Sequence, residues 1–520
     1  MMADSKKKEA LVLLITFVLL LGILLHFCAW KQGMFIDEIF TYGLSNSHYM
    51  PFIGNGADDR LAEQLITRED FFDYLAVTGT EDSFDVGSVY YNQGIDVHPP
   101  LHYWLINLAS SLAPNQFSKW IGLVPGLILY LGTLFLLYLL CMELFGRFPA
   151  ALAAVVLYGL SAVGLSTMLM IRMYVLLGFL TVLLALITAK ELRSPDWKKE
   201  LGIGLSIFLG LLTQYYFVFY AFFLCASVVF RFLFHRQWKP LIRFTLCAFS
   251  GVGLMLLVFP AAISQLTADR LVSGGNAIEN LGNLSAWPGR LRYYFGQIRH
   301  GMPAAVISAL LALLLSVLFS KDLRCHPELR CSRFWILFLP LIPTVFVAAV
   351  ISPVVEGRYI YNIMPICALA APYCFYLLGR TRLSALKGLA AVPICLSLFF
   401  ALRCTPDYIY EEHRDYNLLL GTCSEAPCVY LTEYFAGVTQ DMLQLMQFDD
   451  VYVSGNPESP ALLSYLDGAE RCVVYVDVDS YWGSGFDPLE MMDTLLQETD
   501  FSEYQELYRY GLSDTFLLRK

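Results

Sequence analysis

Two carboxylates stand side by side at Asp37 and Glu38, in the run FIDEIFTY at 35–42. They follow the first long apolar stretch, and Phe35, Ile36, Ile39 and Phe40 flank them, so the pair is held at an apolar boundary. A carboxylate in such a place can serve as a general base, taking a proton from a hydroxyl or an amine. Its neighbour would orient it or contact the other reactant. The plainer reading is two solvated acids at a helix end, and the dipeptide alone does not separate the two.

A second polar group follows in DVHPPLHYW, 96–104. Pro99 and Pro100 read as an ordinary helix start. His98 either sits before that start without further duty, or joins Asp96 in contacts to a phosphate or a leaving group. Arg172, in LMIRMYVLLGF, and Arg358, in VEGRYIYNIMP, are lone cations at the ends of apolar stretches. A snorkelling side chain at a membrane surface accounts for either. So does a phosphate clamp, because the guanidinium fork matches phosphate oxygens; Glu356 would then orient Arg358. Two arginines converging from distant spans fit a lipid-linked phosphate reached from the bilayer. Gln214, Tyr215 and Tyr216 mark another break between apolar stretches, where tyrosines form an interfacial belt or touch a substrate.

The elements that must hold these residues are membrane helices. The 520 residues are 57% hydrophobic and 15% charged, which excludes an ordinary soluble domain. A span needs roughly 20 apolar residues. Spans are expected at 10–30, 120–142, 149–167, 173–190, 201–213, 216–233, 242–262, 302–320, 334–352, 360–379 and 385–402. The short fifth is met by tilt or local thinning. The first is too long for a signal h-region and no small-residue cleavage site follows, so it reads as an uncleaved anchor.

Lys6, Lys7 and Lys8 place the N-terminus in the cytoplasm. The even-to-odd connections then fall inside, and all are basic: Arg147; Lys190 to Lys199; Arg231 to Lys239; Lys321 to Arg333; Arg380 and Arg382. Counting 97–113 as a span would put those loops outside, so that stretch reads as a juxtamembrane helix at the outer interface. An odd number of spans leaves the tail outside.

The expected fold is thus a polytopic α-helical membrane protein of about eleven spans with a C-terminal extracytoplasmic α/β domain. Residues 1–402 form the membrane module, with the outer loop 31–118; residues 403–520 form a small soluble domain. Other outer pieces are 263–301, with Asp269, Arg270, Arg290 and Arg292, and the short turn 352–359. In the tail, 427–434, 450–455 and 471–479 read as strands, and 438–447, 459–467 and 488–498 as helices. YQELYRYGLSDTFLLRK reads as a final hairpin. Cys404, Cys423, Cys428 and Cys472 would lie in an oxidising space; a disulfide stays open and its pairing is not deducible. Cys141, Cys225, Cys247 and Cys374 read as small hydrophobes within spans. His326, between Cys325 and Cys331, has no zinc spacing and reads as structural. The net charge of −10 comes from acids outside the spans, and no patch suits nucleic acid.

Five places together resemble the GT-C superfamily of polytopic glycosyltransferases, most of all bacterial members of glycosyltransferase family 39 and relatives of the protein O-mannosyltransferases and the lipid A aminoarabinose transferases. They are Asp37 with Glu38; Asp96, His98, Pro99, Pro100, Leu101 and Tyr103; Arg172, Met173 and Tyr174; Thr213, Gln214, Tyr215 and Tyr216; and Arg358 and Tyr359, with Pro365 downstream. The resemblance covers about residues 10–380 and not the tail. It implies transfer of a sugar from a polyprenyl-phosphate-linked donor to an acceptor (glycan, lipid or protein) in the cell envelope, on the outer face of the plasma membrane. Asp37 would be the general base and Glu38 its companion. Arg358 would bind the donor phosphate, with Arg172 and His98 assisting. Asp96, Tyr174, Gln214, Tyr215 and Tyr359 would contact substrate.

Two departures stand out. Gln214 stands where many relatives have His, and 167–171 reads TMLMI where Ser-x-Glu-Ala often precedes Arg-Met-Tyr, which removes a carboxylate. The superfamily holds metal-dependent and metal-independent members; carboxylates would favour Mg or Mn if a metal is used. A polyprenyl-linked glycan flippase or other transporter is the competing class. It fits less well, because transporters tend to show internal repeats and midplane polar residues, whereas this chain has no repeat and gathers its polar residues at the outer ends of spans. A non-catalytic anchor for the tail would leave Asp37, Glu38 and Arg358 unexplained.

Overall fold

The computed structural model describes residues 2–53, 63–267, 279–318, 332–378, 395, 399, 403, 405–480, 483–510 and 512–520. The chain forms two compact units: Met1–Ala29, Val97–His102 and Leu123–Asp407 in the first, and Trp30–Asp96, Tyr103–Gly122 and Tyr408–Lys520 in the second. The division expected at 402/403 therefore omits most of the outer loop, which the contacts group with the tail.

The first unit is helical. Among the described residues six helices are long and apolar enough to cross a membrane, namely Lys6–Trp30, Lys119–Phe145, Tyr174–Arg193, Phe217–Phe234, Trp238–Val258 and Ser332–Ile351. They number up to eight if each of two bent pairs is one span. Lys6–Trp30 belongs to the longer helix α1 (Met2–Trp30). The expected span 149–167 is one bent pair, Phe148–Gly159 and Ala162–Leu169, meeting at 60°. At the break the Ser161 hydroxyl accepts the Gly164 N–H and so caps the second helix. The expected span 360–379 is also not one helix. It opens as a 3-10 turn, Gly357–Ile363, followed by Met364–Cys367 and Ala370–Leu378. Span 201–213 is the helix Trp197–Thr213. The span at 385–402, Asp269, Arg270 and the Cys325–His326–Cys331 group lie outside the described residues, apart from isolated positions in the first.

Two contacts explain how these helices associate. Helices Trp197–Thr213 and Trp238–Val258 cross at glycines: a Cβ on Gly251 would stand 2.3 Å from the Gly204 carbonyl oxygen. Such close backbone approach is the usual device for packing helices without a hydrophobic drive. At the basic ends, Glu143 pairs with Arg193 at 2.9 Å and with Arg333 at 2.6 Å. Three connections expected on the same side therefore do meet.

Among the described residues the second unit carries a six-stranded sheet in the order β1-β3-β2-β4-β6-β5. The strands are β1 (Gln64–Thr67), β2 (Cys428–Leu431), β3 (Asp450–Ser454), β4 (Arg471–Asp477), β5 (Glu503–Tyr510) and β6 (Ser513–Arg519). β2 runs parallel to β3 and β4, and β5 and β6 form the antiparallel hairpin. β2 is buried throughout, as a central parallel strand covered on both faces should be. On one face Val429, Leu431, Val474, Val476, Phe516 and Leu518 pack on Leu462, Leu466, Met492 and Leu495. The sequence did not announce β1, which comes from the outer loop and pairs antiparallel with β3, Leu65 opposite Tyr452. Cys404 lies outside the described residues; among those described no disulfide forms, and Cys423, Cys428 and Cys472 are free thiols.

Candidate active site

Asp37 and Glu38 open the helix α2 (Ile36–Asn46), in the first turn where carboxylates suit the exposed N–H groups. Their environments differ. Asp37 is half-buried and Glu38 fully buried. The Glu38 carboxylate accepts the Phe35 N–H at 2.7 Å and the Lys31 ammonium at 3.0 Å, with both side chains of that ion pair 0% exposed. Lys31 also donates to the Tyr408 carbonyl at 2.8 Å. The far side of α2 is braced: Asn107 donates to the Ser45 carbonyl, Asn46 to the Leu75 carbonyl and Asn92 to the Ser47 carbonyl. Gly43 makes room for Tyr74, because a Cβ there would overlap the Tyr74 ring and force it to move. Asp96 caps the end of helix Val86–Ile95 and raises the Tyr74 pKa, adding to the larger effect of burial. This unit therefore brings Asp37, Glu38 and Asp96 into one fold.

The cations and tyrosines belong to the first unit. Arg172 lies in the break between helices Ala162–Leu169 and Tyr174–Arg193 and is only 5% exposed, so it is no snorkelling surface side chain. The two helices beside it both pack on Gly357–Ile363, the turn that carries Arg358 and Tyr359. Tyr174 meets Tyr361 edge-on at 6.1 Å. Tyr359 stacks on Tyr216 with ring centroids 4.6 Å apart, and the Arg358 guanidinium lies 5.9 Å from the Tyr359 ring centre. His98 and Arg172 both act on His102, which is buried; burial first, then those two charges, push the His102 pKa down to about 3. Gln214 and Tyr215 have partners within the protein: the Gln214 side-chain oxygen accepts the Tyr215 N–H, and the Tyr215 hydroxyl donates to Gln265.

Sequence reasoning missed Lys31, His102 and Asp407. Asp407 exchanges two hydrogen bonds with Ser166, its N–H donating to the hydroxyl at 2.9 Å and its carboxylate accepting from it at 3.3 Å. A carboxylate thus reaches the helix just before Arg172, where the local sequence TMLMI has none. The signal for Lys31 was legible, since a lone lysine beside an Asp-Glu pair at a helix exit invites pairing. Nothing marked Asp407. Among the described residues no group of three or more His, Cys, Asp and Glu side chains is placed to hold a metal ion.

A buried arginine and a half-exposed one beside stacked tyrosines suit an anionic ligand, and the comparisons bear on its kind. Residues 97–263 match the family model of dolichyl-phosphate-mannose-protein mannosyltransferases. That match bears out the resemblance to GT-C glycosyltransferases, and it takes in His98, Arg172, Tyr174, Gln214 and Tyr215 but not Asp37 or Arg358. The structure is similar to that of ArnT from Cupriavidus metallidurans bound to undecaprenyl phosphate, with 12% identity, 96% of this chain and 97% of that chain covered, and a TM-score of 0.44. For the apo state of ArnT from the same organism the figures are 12%, 95%, 98% and 0.41. No curated protein sequence matches the chain.

Proposed function

We propose that the chain is a multi-pass membrane glycosyltransferase that moves a sugar from a polyprenyl-phosphate carrier to an extracytoplasmic acceptor. The observation that carries the reading is the match of residues 97–263 to a family named for a dolichyl-phosphate sugar donor. The buried Arg172 within that segment fits a phosphate-bearing substrate. A sugar on a lipid phosphate is already activated, so the protein must supply a base for the acceptor and positive charge for the departing phosphate.

In this mechanism Asp37 takes the proton from the acceptor hydroxyl or amine as that atom attacks the anomeric carbon. The bond from that carbon to the phosphate oxygen breaks, and the electron pair leaves with the polyprenyl phosphate. Arg358 holds the phosphate, and Arg172 adds charge at the same group. His102 stays neutral at working pH, so it can offer a hydrogen bond without adding a third positive charge. Glu38, engaged by Lys31 and Phe35, acts on Asp37 through the helix rather than on substrate. One displacement inverts the anomeric configuration; a product with retained configuration would contradict this route. The N-terminus faces the cytoplasm and the tail the outside.

Arg358→Ala tests the phosphate role. It should raise the KM for an undecaprenyl-phosphate sugar at least tenfold, with Arg358→Lys intermediate because the ammonium lacks the planar fork. An unchanged KM in Arg358→Ala would remove Arg358 from the donor site.

A further inference from the structure

Glu38 is fully buried, and so is its partner Lys31. Burying two charges is costly unless each is paired and further hydrogen-bonded; here they pair with each other, the Phe35 N–H completes Glu38, and one short stretch of the tail completes Lys31. Lys31 donates to the Tyr408 carbonyl and lies 5.4 Å from the Tyr410 ring centre. Gln32 donates its N–H to the Ile409 carbonyl at 2.7 Å. Phe35 meets the Tyr408 ring edge-on at 6.1 Å. A Cβ on Gly33 would stand 2.5 Å from the His413 Nδ1, and that nitrogen is within 3.1 Å of Gln444 Nε2. Lys119 donates to the Lys31 carbonyl.

The stretch that closes on Lys31 is conformationally unusual. Tyr408 and Tyr410 hold φ at +70° and +55°, in the left-handed region that large side chains avoid. Residues are kept there only where their surroundings over-determine them, and such places cluster at functional sites. Asp37 is the residue before Glu38 on the same helical turn. Whatever fixes Glu38 therefore fixes the direction of Asp37.

We propose that Lys31 is a positioning residue: with the Tyr408–His413 clasp it locks Glu38 and thereby aims Asp37 at the acceptor. The proposal rests on the reading of Asp37 as the base. It also gives the tail a task in catalysis, because residues 408–413 are the first of the tail that belong to the second unit.

The single variant Lys31→Met would strand a buried carboxylate and can fail to fold, so the test uses the double variant Lys31→Met with Glu38→Gln, which removes both charges and keeps their bulk. Thermal melting of the purified protein, and kcat and KM for an undecaprenyl-phosphate sugar, are measured beside Lys31→Arg and Asp37→Asn. The expected result is a melting point close to wild type, a kcat lowered about 10- to 100-fold by misaimed chemistry, a donor KM within about twofold, and partial recovery of kcat in Lys31→Arg. A double variant with wild-type kcat, beside an inactive Asp37→Asn, would overturn the positioning role and leave the base intact. Activity lost only in step with loss of folded protein would overturn it too, making Lys31 a stabilising residue alone. A fully active Asp37→Asn would remove the base reading, and this inference with it.

Discussion

Asp37 and Glu38 are neighbours with opposite fates. Glu38 is sealed against Lys31 and the Phe35 N–H, whereas Asp37 keeps part of its surface exposed at the start of α2. Only the second arrangement suits a group that must take up a proton in each turnover. His102 links the fold to pH. Burial pushes it down to about 3, while in an unfolded chain it titrates near 6.5. Between those values the unfolded chain binds the extra proton, so stability falls as pH falls through that window and is fully kept above it. Melting of the purified protein from pH 7 to pH 4 should therefore show His102→Gln flattening the acid slope by up to ~1.4 kcal/mol per pH unit. An unaltered slope would mean that another group carries it. At this scale the sequence offered residue types and not burial. Arg172 and Arg358 looked alike in it, yet Arg172 is enclosed and Arg358 half-exposed. His102 passed unmarked, because nothing in HPPLHYW says which histidine turns inward.

Element boundaries were legible where local pattern and tertiary environment agree. The tail's three expected strands and three expected helices all appear, as does the final hairpin, because alternation and helical period are strong there. β1 escaped, having four residues whose partner lies in a distant part of the chain. Hydropathy likewise hid the breaks at Leu160–Ser161 and in Gly357–Ile363, since it counts apolar residues and not hydrogen bonds. The second break carries Arg358, and Arg172 lies in another, after Leu169, so irregular backbone marks both arginines better than composition does. The glycine crossing gives a prediction at this scale. Gly251→Val should destabilise the protein by about 1–3 kcal/mol through overpacking, seen as a lowered melting temperature. Gly253→Val, with nothing within 4 Å of its would-be Cβ, should cost clearly less. Equal losses would contradict the crossing.

The whole molecule interleaves its two units along the chain. The outer loop gives a strand to the tail's sheet, so neither piece completes that sheet alone. Charge topology predicted that the connections bearing Glu143, Arg193 and Arg333 share a side, and those residues do meet. Its remaining claim is orientation. With exposed Cys395 changed to Ser, a cysteine placed at Lys520 should react with a membrane-impermeant maleimide in intact cells, whereas one at Arg236 should react only after permeabilisation. The opposite pattern would invert the topology and move Asp37 to the cytoplasmic side. The proposed sugar transfer depends on Asp37. Its most direct test is turnover by the purified protein with a panel of undecaprenyl-phosphate sugars and cell-envelope acceptors, wild type beside Asp37→Asn. We expect one donor to support wild-type transfer and the variant to lose at least 100-fold in kcat, in the range typical of a lost general base. Full activity in Asp37→Asn would contradict the central claim.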